Sequence, residues 1–248
     1  MTRIILVGCN GHMGQTVTRV LDNYPDCAII AGIDSNTKML NPYPVFDSFS
    51  DIKVDADVLI DFSTPELLKS LLCFASQKKL PCVIATTGYS EQEIGLIQDY
   101  AKDIPIFFSF NMSLGVNLLC SLAKQAAKIL GDGFDIEIVE KHHNQKVDAP
   151  SGTAIMLADA VNDGAKEYVY DRHAKREKRK PNEIGMHSIR GGTIVGEHEV
   201  IFAGNDEVIT LAHSAASKSV FANGAVNAAK YLVGKPPRIY DMTDLVNE

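Results

Sequence analysis

The sequence has no excess of positive charge. Its 24 Lys and Arg stand against 31 Asp and Glu, a formal net charge of −7. Such a chain gains little from counterion release, which argues against nucleic acid or an acidic membrane as a general partner. The five cysteines, Cys9, Cys27, Cys73, Cys82 and Cys120, include no Cys-x-x-Cys pair and have no histidine at metal-ligand spacing. Neither a disulfide framework nor a zinc site is expected, and the thiols read as reduced. No apolar run approaches the ~18 residues that would span a bilayer, and Ile4 to Val7 is too short for a signal-peptide core. A cytoplasmic location is the expectation. Internal repeats and low-complexity segments are also missing. What remains is an ordinary globular composition, 46% apolar over 248 residues, enough for one large domain or two of moderate size.

The order of apolar runs gives the architecture. Arg3 to Val7 is β-branched and ends at Gly8, a helical pattern (Val17, Val20, Leu21) follows Gly14, and Cys27 to Ile33 is a second apolar run. That is the size and order of a βαβ unit. Runs at Val58 to Phe62, Cys82 to Ala85 and Ile104 to Phe108 alternate with helical stretches at Pro65 to Gln77 and Glu91 to Lys102, which predicts a doubly wound α/β parallel sheet. The character changes near residue 113. Ser113 can cap a long helix that stops at Gly131. Phe134 to Ile138, His198 to Phe202 and Val208 to Ala212 then alternate, as strands with one wet face do. A smaller α+β domain with an open mixed sheet is expected over 113–216, with 1–112 and 217–248 forming the first domain. The tail from Phe221 to Val233 is helical, and the apolar stretch after Pro236-Pro237 is expected to return to the first domain. Arg172 to Lys180 holds six basic residues and one acidic one, and reads as a solvated loop.

Gly8-Cys9-Asn10-Gly11-His12-Met13-Gly14 lies between a strand and a helix. Glycines there let the pyrophosphate of a dinucleotide approach the backbone, and the helix start offers N–H groups and partial positive charge. Asp34 ends the second strand about 20 residues on, where a carboxylate meets the adenosine ribose. No arginine follows Asp34, and Lys38 is the nearest cation for a 2′-phosphate, so NAD is at least as well accommodated as NADP. Asp61-Phe62-Ser63, Ala85-Thr86-Thr87-Gly88 and Ser109-Phe110-Asn111-Met112 follow apolar runs at the carboxyl edge of the sheet, the edge where ligands bind in such folds.

The densest polar cluster runs from Glu140 to Thr153. His142, His143 and Lys146 bring two imidazoles and an ammonium beside a helix start at Pro150-Ser151-Gly152-Thr153, whose N–H groups can hold a carboxylate. This is a pocket for a small acid with a proton donor beside it. Zinc would need further ligands that the sequence does not supply at suitable spacing. Ser151 lacks the Gly-x-Ser-x-Gly elbow of a hydrolase nucleophile.

These blocks together resemble the dihydrodipicolinate reductase family. The signature is Glu140-x-His142-His143-x-x-Lys146-x-Asp148-Ala149-Pro150-Ser151-Gly152-Thr153-Ala154, and Asn111-Met112-Ser113-x-Gly115-Val116-Asn117, Arg190-x-Gly192-x-Ile194-Val195-Gly196-Glu197-His198 and Phe221-Ala222-Asn223-Gly224-Ala225 fall in matching order. The resemblance covers nearly the whole chain. It implies a Rossmann-like cofactor domain, a substrate-binding and oligomerisation domain, and a homotetramer joined through the second sheet. The implied reaction is the NADH- or NADPH-dependent reduction of 4-hydroxy-tetrahydrodipicolinate, a small dicarboxylate, in the diaminopimelate route to lysine. In it His142 is the acid/base, Lys146 the proton donor, and His143, Ser151, Gly152 and Thr153 the substrate binders. Gly8, Cys9, Asn10, Gly11, His12 and Met13 hold the pyrophosphate, and Asp34 the ribose. Ala85, Thr86 and Thr87 with Ser109, Phe110, Asn111 and Met112 hold the nicotinamide half, and Lys218 lies near the cofactor. Family members often carry Gly at the place of Ala85 and a basic residue at the place of Ser35. Two rival readings are a nucleotide-sensing regulator without catalysis and an amino-acid dehydrogenase sharing the cofactor domain.

Overall fold

The computed structural model describes residues 1–246. It divides into two compact units, one made of Met1–Leu114 and the segment from Lys218 onward, the other of Gly115–Ser217. In chain order the first unit begins with β1 (Thr2–Val7), α1 (His12–Val20), β2 (Cys27–Ile33), β3 (Val45–Phe46), β4 (Val58–Asp61), α2 (Leu68–Lys78), β5 (Cys82–Ile84), α3 (Glu91–Tyr100) and β6 (Ile106–Phe108). The second unit holds α4 (Leu114–Leu130), β7 (Asp135–His142), α5 (Gly152–Val161), β8 (Glu167–Val169), β9 (Glu183–Arg190), β10 (Gly196–Ala203) and β11 (Val208–Ala215). The chain then returns to the first unit with α6 (Ser219–Leu232), β12 (Ile239–Tyr240) and α7 (Met242–Val246).

The first sheet runs β12-β6-β5-β4-β1-β2-β3 with every pair parallel. β1 shows why its sequence is a continuous apolar run. Ile4 and Leu6 enter a core with Val17 and Val20 of α1 and Ala225 and Ala229 of α6. Ile5 and Val7 enter the opposite core with Leu71 and Leu72 of α2 and Ile97 of α3. A strand covered on both faces has no position for a polar residue. Strand order reverses between β1 and β4, so the carboxyl ends of these two strands flank the crevice where such sheets bind ligands. The expected return of the tail is seen as β12 pairing with β6. The alanines of α6 allow it to lie close, and Gly224 is required there, since a Cβ would sit 1.6 Å from the Met112 carbonyl oxygen.

The second sheet runs β11-β10-β7-β9-β8, antiparallel between β11, β10 and β7 and parallel between β7, β9 and β8. β7 alternates as read from the sequence but continues four residues past Ile138. Ile136 and Ile138 face the core shared with Leu119 and Ala123 of α4 and Leu157 and Ala158 of α5. By the same two-residue period the buried side chains of Glu140 and His142 continue that face at the strand end.

The basic stretch Arg172–Lys180 differs from its expectation as a solvated loop. Arg172 pairs with the fully buried Glu183, and Arg179 reaches Glu137 at 3.0 Å and Asp135 at 2.6 Å. Those acids project from β7 and β9, so the segment is pinned along the sheet by charge-assisted hydrogen bonds.

Candidate functional sites in the two units

In the first unit β1 delivers the chain to a turn that only glycine can make. Gly8 has φ +74°, and a Cβ on it would lie 2.4 Å from the Phe62 carbonyl oxygen. A Cβ on Gly14 would lie 2.1 Å from the Gly8 carbonyl oxygen. Around Gly11 there is more room, its nearest atom being the Gly8 carbonyl oxygen at 3.3 Å. Gly11 caps α1 through its backbone alone, with no side-chain hydrogen bond at that terminus. The turn thus presents an exposed backbone at a helix start, a shape and partial charge that suit a pyrophosphate. His12 is exposed, whereas Met13 is half-buried and packs partly against the core. Cys9 is also turned inward. Its sulfur fills the space beside Gly32, and burial, reinforced by Asp34, pushes its thiol up to about 12. An inert thiol leaves only the Cys9 backbone for ligand contact.

Asp34 follows β2, and its carboxylate accepts hydrogen bonds from the backbone N–H groups of Asn10 and Asn36, both at 2.9 Å. The glycine turn and the acidic residue are therefore one structure. Asn41 extends it by donating to the Asn10 side chain at 2.7 Å, a contact no sequence motif announces. At the end of β4, Asp61 is fully buried and accepts from the Ser63 hydroxyl at 2.5 Å and the Tyr89 hydroxyl at 3.3 Å. Burial raises its carboxyl above the usual carboxylate range. Ala85 and Thr86 after β5 are buried, and Thr87 is exposed. After β6, Ser109 accepts from the Asn111 N–H at 3.3 Å and Phe110 is 65% exposed, while Met112 is buried against α6. Lys218 is exposed at the first turn of α6, the helix that packs on Met112.

In the second unit Glu140 is the centre of a buried network. Its Oε2 accepts from His142 Nδ1 at 2.6 Å and from Arg190 at 2.8 Å, and its Oε1 accepts from Arg190 at 2.7 Å and from the Ser151 N–H at 3.2 Å. Burial alone would raise the Glu140 carboxyl, but hydrogen bonds from Arg190, Ser188 and His142 outweigh it and hold it down at about 2. His198 lies on the neighbouring strand, opposite Glu140 in register, with its ring 5.2 Å from that of His142 in an edge-to-face arrangement. Burial, with the neighbouring His142, lowers His198 to about 4, so it is neutral at pH 7.

Ser151, expected among the substrate binders, is buried and hydrogen-bonded within the site. Its hydroxyl accepts from the Ala154 N–H at 3.2 Å, capping α5, and meets His198 Nε2 at 3.1 Å. With its N–H on Glu140 as well, Ser151 ties Glu140, His198 and the start of α5 together. Gly152 is exposed and Thr153 half-buried in the first turn of α5. His143 is half-buried, and Lys146 pairs with Asp148 at 2.8 Å. The loop between β9 and β10 lines up with the motif: Gly191 N–H donates to the His142 carbonyl and Asn144 N–H to that of Gly192. Glu140 and Arg190 stand in the sequence motifs without a role of their own, and only the β7–β9 register, which places His142 opposite Arg190, reveals their joint one.

Glu183, like Glu140, is held down at about 2, in its case chiefly by the Arg172 hydrogen bond. Both groups have an ordinary value of 4.5. Their folded forms resist protonation, so the stability they contribute is complete above that ordinary value and is lost as pH falls from roughly 5 toward 2. Urea unfolding followed by circular dichroism is expected to show a declining midpoint across that window. A flat midpoint there would contradict the ion-pair geometry.

Family models for dihydrodipicolinate reductase match the chain in two parts, the N-terminal one over residues 2–112 and the C-terminal one over residues 115–246. The 4-hydroxy-tetrahydrodipicolinate reductase of Caldanaerobacter subterraneus subsp. tengcongensis is 55% identical, covering 100% of this chain and 99% of that protein. The enzyme of the same name from Clostridium tetani is 50% identical over 100% of this chain and 98% of its own. Among solved structures, the dipicolinate-bound dihydrodipicolinate reductase from Paenisporosarcina sp. TG-14 has the same fold, with a TM-score of 0.83 at 23% identity over 99% of both chains. By sequence over its whole length, and in both of its units, this chain belongs to the dihydrodipicolinate reductase family.

Proposed function

We propose that the protein reduces 4-hydroxy-tetrahydrodipicolinate, by way of dihydrodipicolinate, to tetrahydrodipicolinate in the diaminopimelate route to lysine, with NADH or NADPH as reductant. The observation that carries this reading is the buried Glu140–His142 pair at the end of β7, beside Lys146 and the start of α5. A relative 55% identical along its full length bears the name of that reductase.

The substrate is a cyclic imine with two carboxylates. Gly152 and Thr153 offer backbone N–H groups at a helix N-terminus to one carboxylate, and His143 and Lys146 add positive or donor groups for the rest. His142 acts as acid and base on the ring, and Lys146 supplies the proton that C3 takes up. Its pairing with Asp148 holds the ammonium in place until an anionic substrate competes for it. Bound NADH or NADPH supplies the hydride that adds at C4. For that cofactor the residues fit: Gly8 to Met13 hold the pyrophosphate, and Asp34 receives the adenosine ribose. Ala85 to Thr87 and Ser109 to Met112 hold the nicotinamide half, with Lys218 close to it. Asp34 stands with its carboxylate fixed and no arginine after it, so a ribose 2′-hydroxyl suits it at least as well as a 2′-phosphate.

A homotetramer in the cytoplasm is part of the same reading. β11 is an eight-residue edge strand with an open side, and Val208 on it is 63% exposed, a surface that asks to be covered.

Steady-state oxidation of NADH and of NADPH, with freshly generated 4-hydroxy-tetrahydrodipicolinate, tests the reading. Turnover with both, and with NADH at least as efficient, is expected. No turnover from folded protein that still binds the nucleotide would overturn it in favour of a nucleotide-sensing regulator.

A further inference from the structure

The hydrogen-bond count around Glu140 goes further than its distances. A carboxylate offers about four lone-pair sites on two oxygens. At Glu140 five donors converge on them: His142 Nδ1, both terminal nitrogens of Arg190, the Ser151 N–H and the Ser188 hydroxyl. Arg190 and the backbone amide can only donate. With Arg190 donating to both oxygens the carboxyl stays ionised, so the proton between Glu140 and His142 resides on the imidazole. Neutral His142 is then protonated at Nδ1, with Nε2 as its acceptor nitrogen. Among the described residues no hydrogen bond is made at that Nε2, which lies 3.1 Å from where a Cβ on Gly196 would stand. A side chain at position 196 would crowd that nitrogen, and glycine spares it the contact.

We infer that Glu140, clamped by Arg190, is the positioning residue that fixes the tautomer and plane of His142, so that Nε2 alone exchanges a proton with the substrate. The inference deepens the assignment of His142 as acid and base and rests on it. Every charged or titratable group facing the ring fits. Glu140 on the same strand takes Nδ1. Arg190 of β9 is spent on Glu140. His198 of β10 stays neutral against the ring and is anchored by Ser151. His213 of β11 lies beyond His198, and Lys146 is turned to Asp148. Among the described residues none of these groups hydrogen-bonds Nε2. Holding a histidine by its other nitrogen is a general device for setting which nitrogen reacts, and loss of the holding carboxylate in a catalytic triad leaves the wrong tautomer.

The test uses the full-length protein labelled with ¹⁵N-histidine. Long-range ¹H–¹⁵N spectra are recorded at a pH where imidazoles are neutral, and His142 is assigned by its absence from the His142→Asn variant. The wild type is expected to show a protonated Nδ1 and an unprotonated Nε2. A protonated Nε2 in the neutral wild-type ring overturns the inference without any variant. In Glu140→Gln the amide oxygen must turn to Arg190 and its NH₂ to the imidazole, so His142 is expected to switch to the Nε2-protonated form. With it kcat falls by about 10- to 100-fold, the range for losing an orienting partner, while KM changes far less. Glu140→Gln in the His142→Asn background adds no further loss, because there is no ring left to orient. A Glu140→Gln protein that keeps the Nδ1 proton, or keeps its kcat, overturns the inference. Full activity in His142→Asn would be a different failure, that of the acid/base assignment itself. Arg190→Lys keeps a cation on Glu140 without the two-pronged geometry, and it is expected to retain the Nδ1 tautomer. A purely structural role for Glu140 would leave the tautomer in place and cost only melting temperature.

Discussion

Replacing His142 by Asn, or Lys146 by Ala, is expected to lower turnover by about 10²-fold or more, the usual consequence of losing a positioned acid/base or charge-stabilising group. The two losses differ in kind. His142 sits in a rigid setting, buried and held at Nδ1, so Asn removes the proton-exchanging nitrogen while Glu140 keeps a hydrogen-bond donor in place. Lys146 is the less constrained partner, part-exposed and joined to Asp148 in a loop, and its removal takes a full positive charge from a site meant for a dicarboxylate. Lys146→Ala is therefore expected to raise KM as well as depress kcat, whereas His142→Asn acts chiefly on kcat. Nicotinamide oxidation rates over a substrate series measure both, and nucleotide binding serves as the control for the first unit. Wild-type turnover in either variant would remove that residue from the mechanism.

Gly14→Ala is the second large effect. The added Cβ would stand 2.1 Å from the Gly8 carbonyl oxygen and 2.6 Å from Cys9 Cα. Both are backbone atoms, so no rotamer change relieves the overlap, and the nucleotide turn must open. A cost of about 3 kcal/mol is expected, at the upper end of overpacking penalties. For a protein of this size that corresponds to a melting temperature lower by roughly 10 °C. NADH affinity should fall with it, since the displaced backbone is the proposed pyrophosphate cradle. Gly95→Ala makes the contrast. It lies within α3 with nothing inside 4 Å of the new methyl group, and there alanine should stabilise by up to about 1 kcal/mol through helix propensity. Melting curves and calorimetric NADH titrations of the two variants check both statements. Unchanged melting and binding in Gly14→Ala would mean that the turn is not as tight as described.

The parts of this molecule that were legible in its sequence are those whose signal is local. β1, β2 and β4 announce themselves because burial on two faces favours continuous apolar runs, broken in β4 only by its last residue, Asp61. The glycine turn is legible because steric limits on Cβ act within a few residues. Features decided by pairing across distant segments were hidden. β9 reads Glu183-Ile-Gly-Met-His-Ser-Ile-Arg190, with no clean alternation, since its first half is buried and its second half open. Its place beside β7 follows from register, not composition. The basic run at 172–180 shows its charge but not its partners, which are acids on β7 and β9. Glu140 is the sharpest case. In sequence it is one acid in an alternating strand, and only folding turns it inward, among donors contributed by residues up to 50 positions away.

The insertion of the second unit between Leu114 and Lys218 also bears on the order of biosynthesis. The first unit's core needs Ala222, Ala225, Val226 and Leu232 of α6, and its sheet is completed by β12 on the flank of β6. These elements leave the ribosome after the whole of Gly115–Ser217. The inserted unit has all of its strands available first, so it can consolidate while the N-terminal half of the cofactor unit waits as an incomplete sheet. A truncation before Ser219 would accordingly damage the region that is synthesised first more than the region next to the cut.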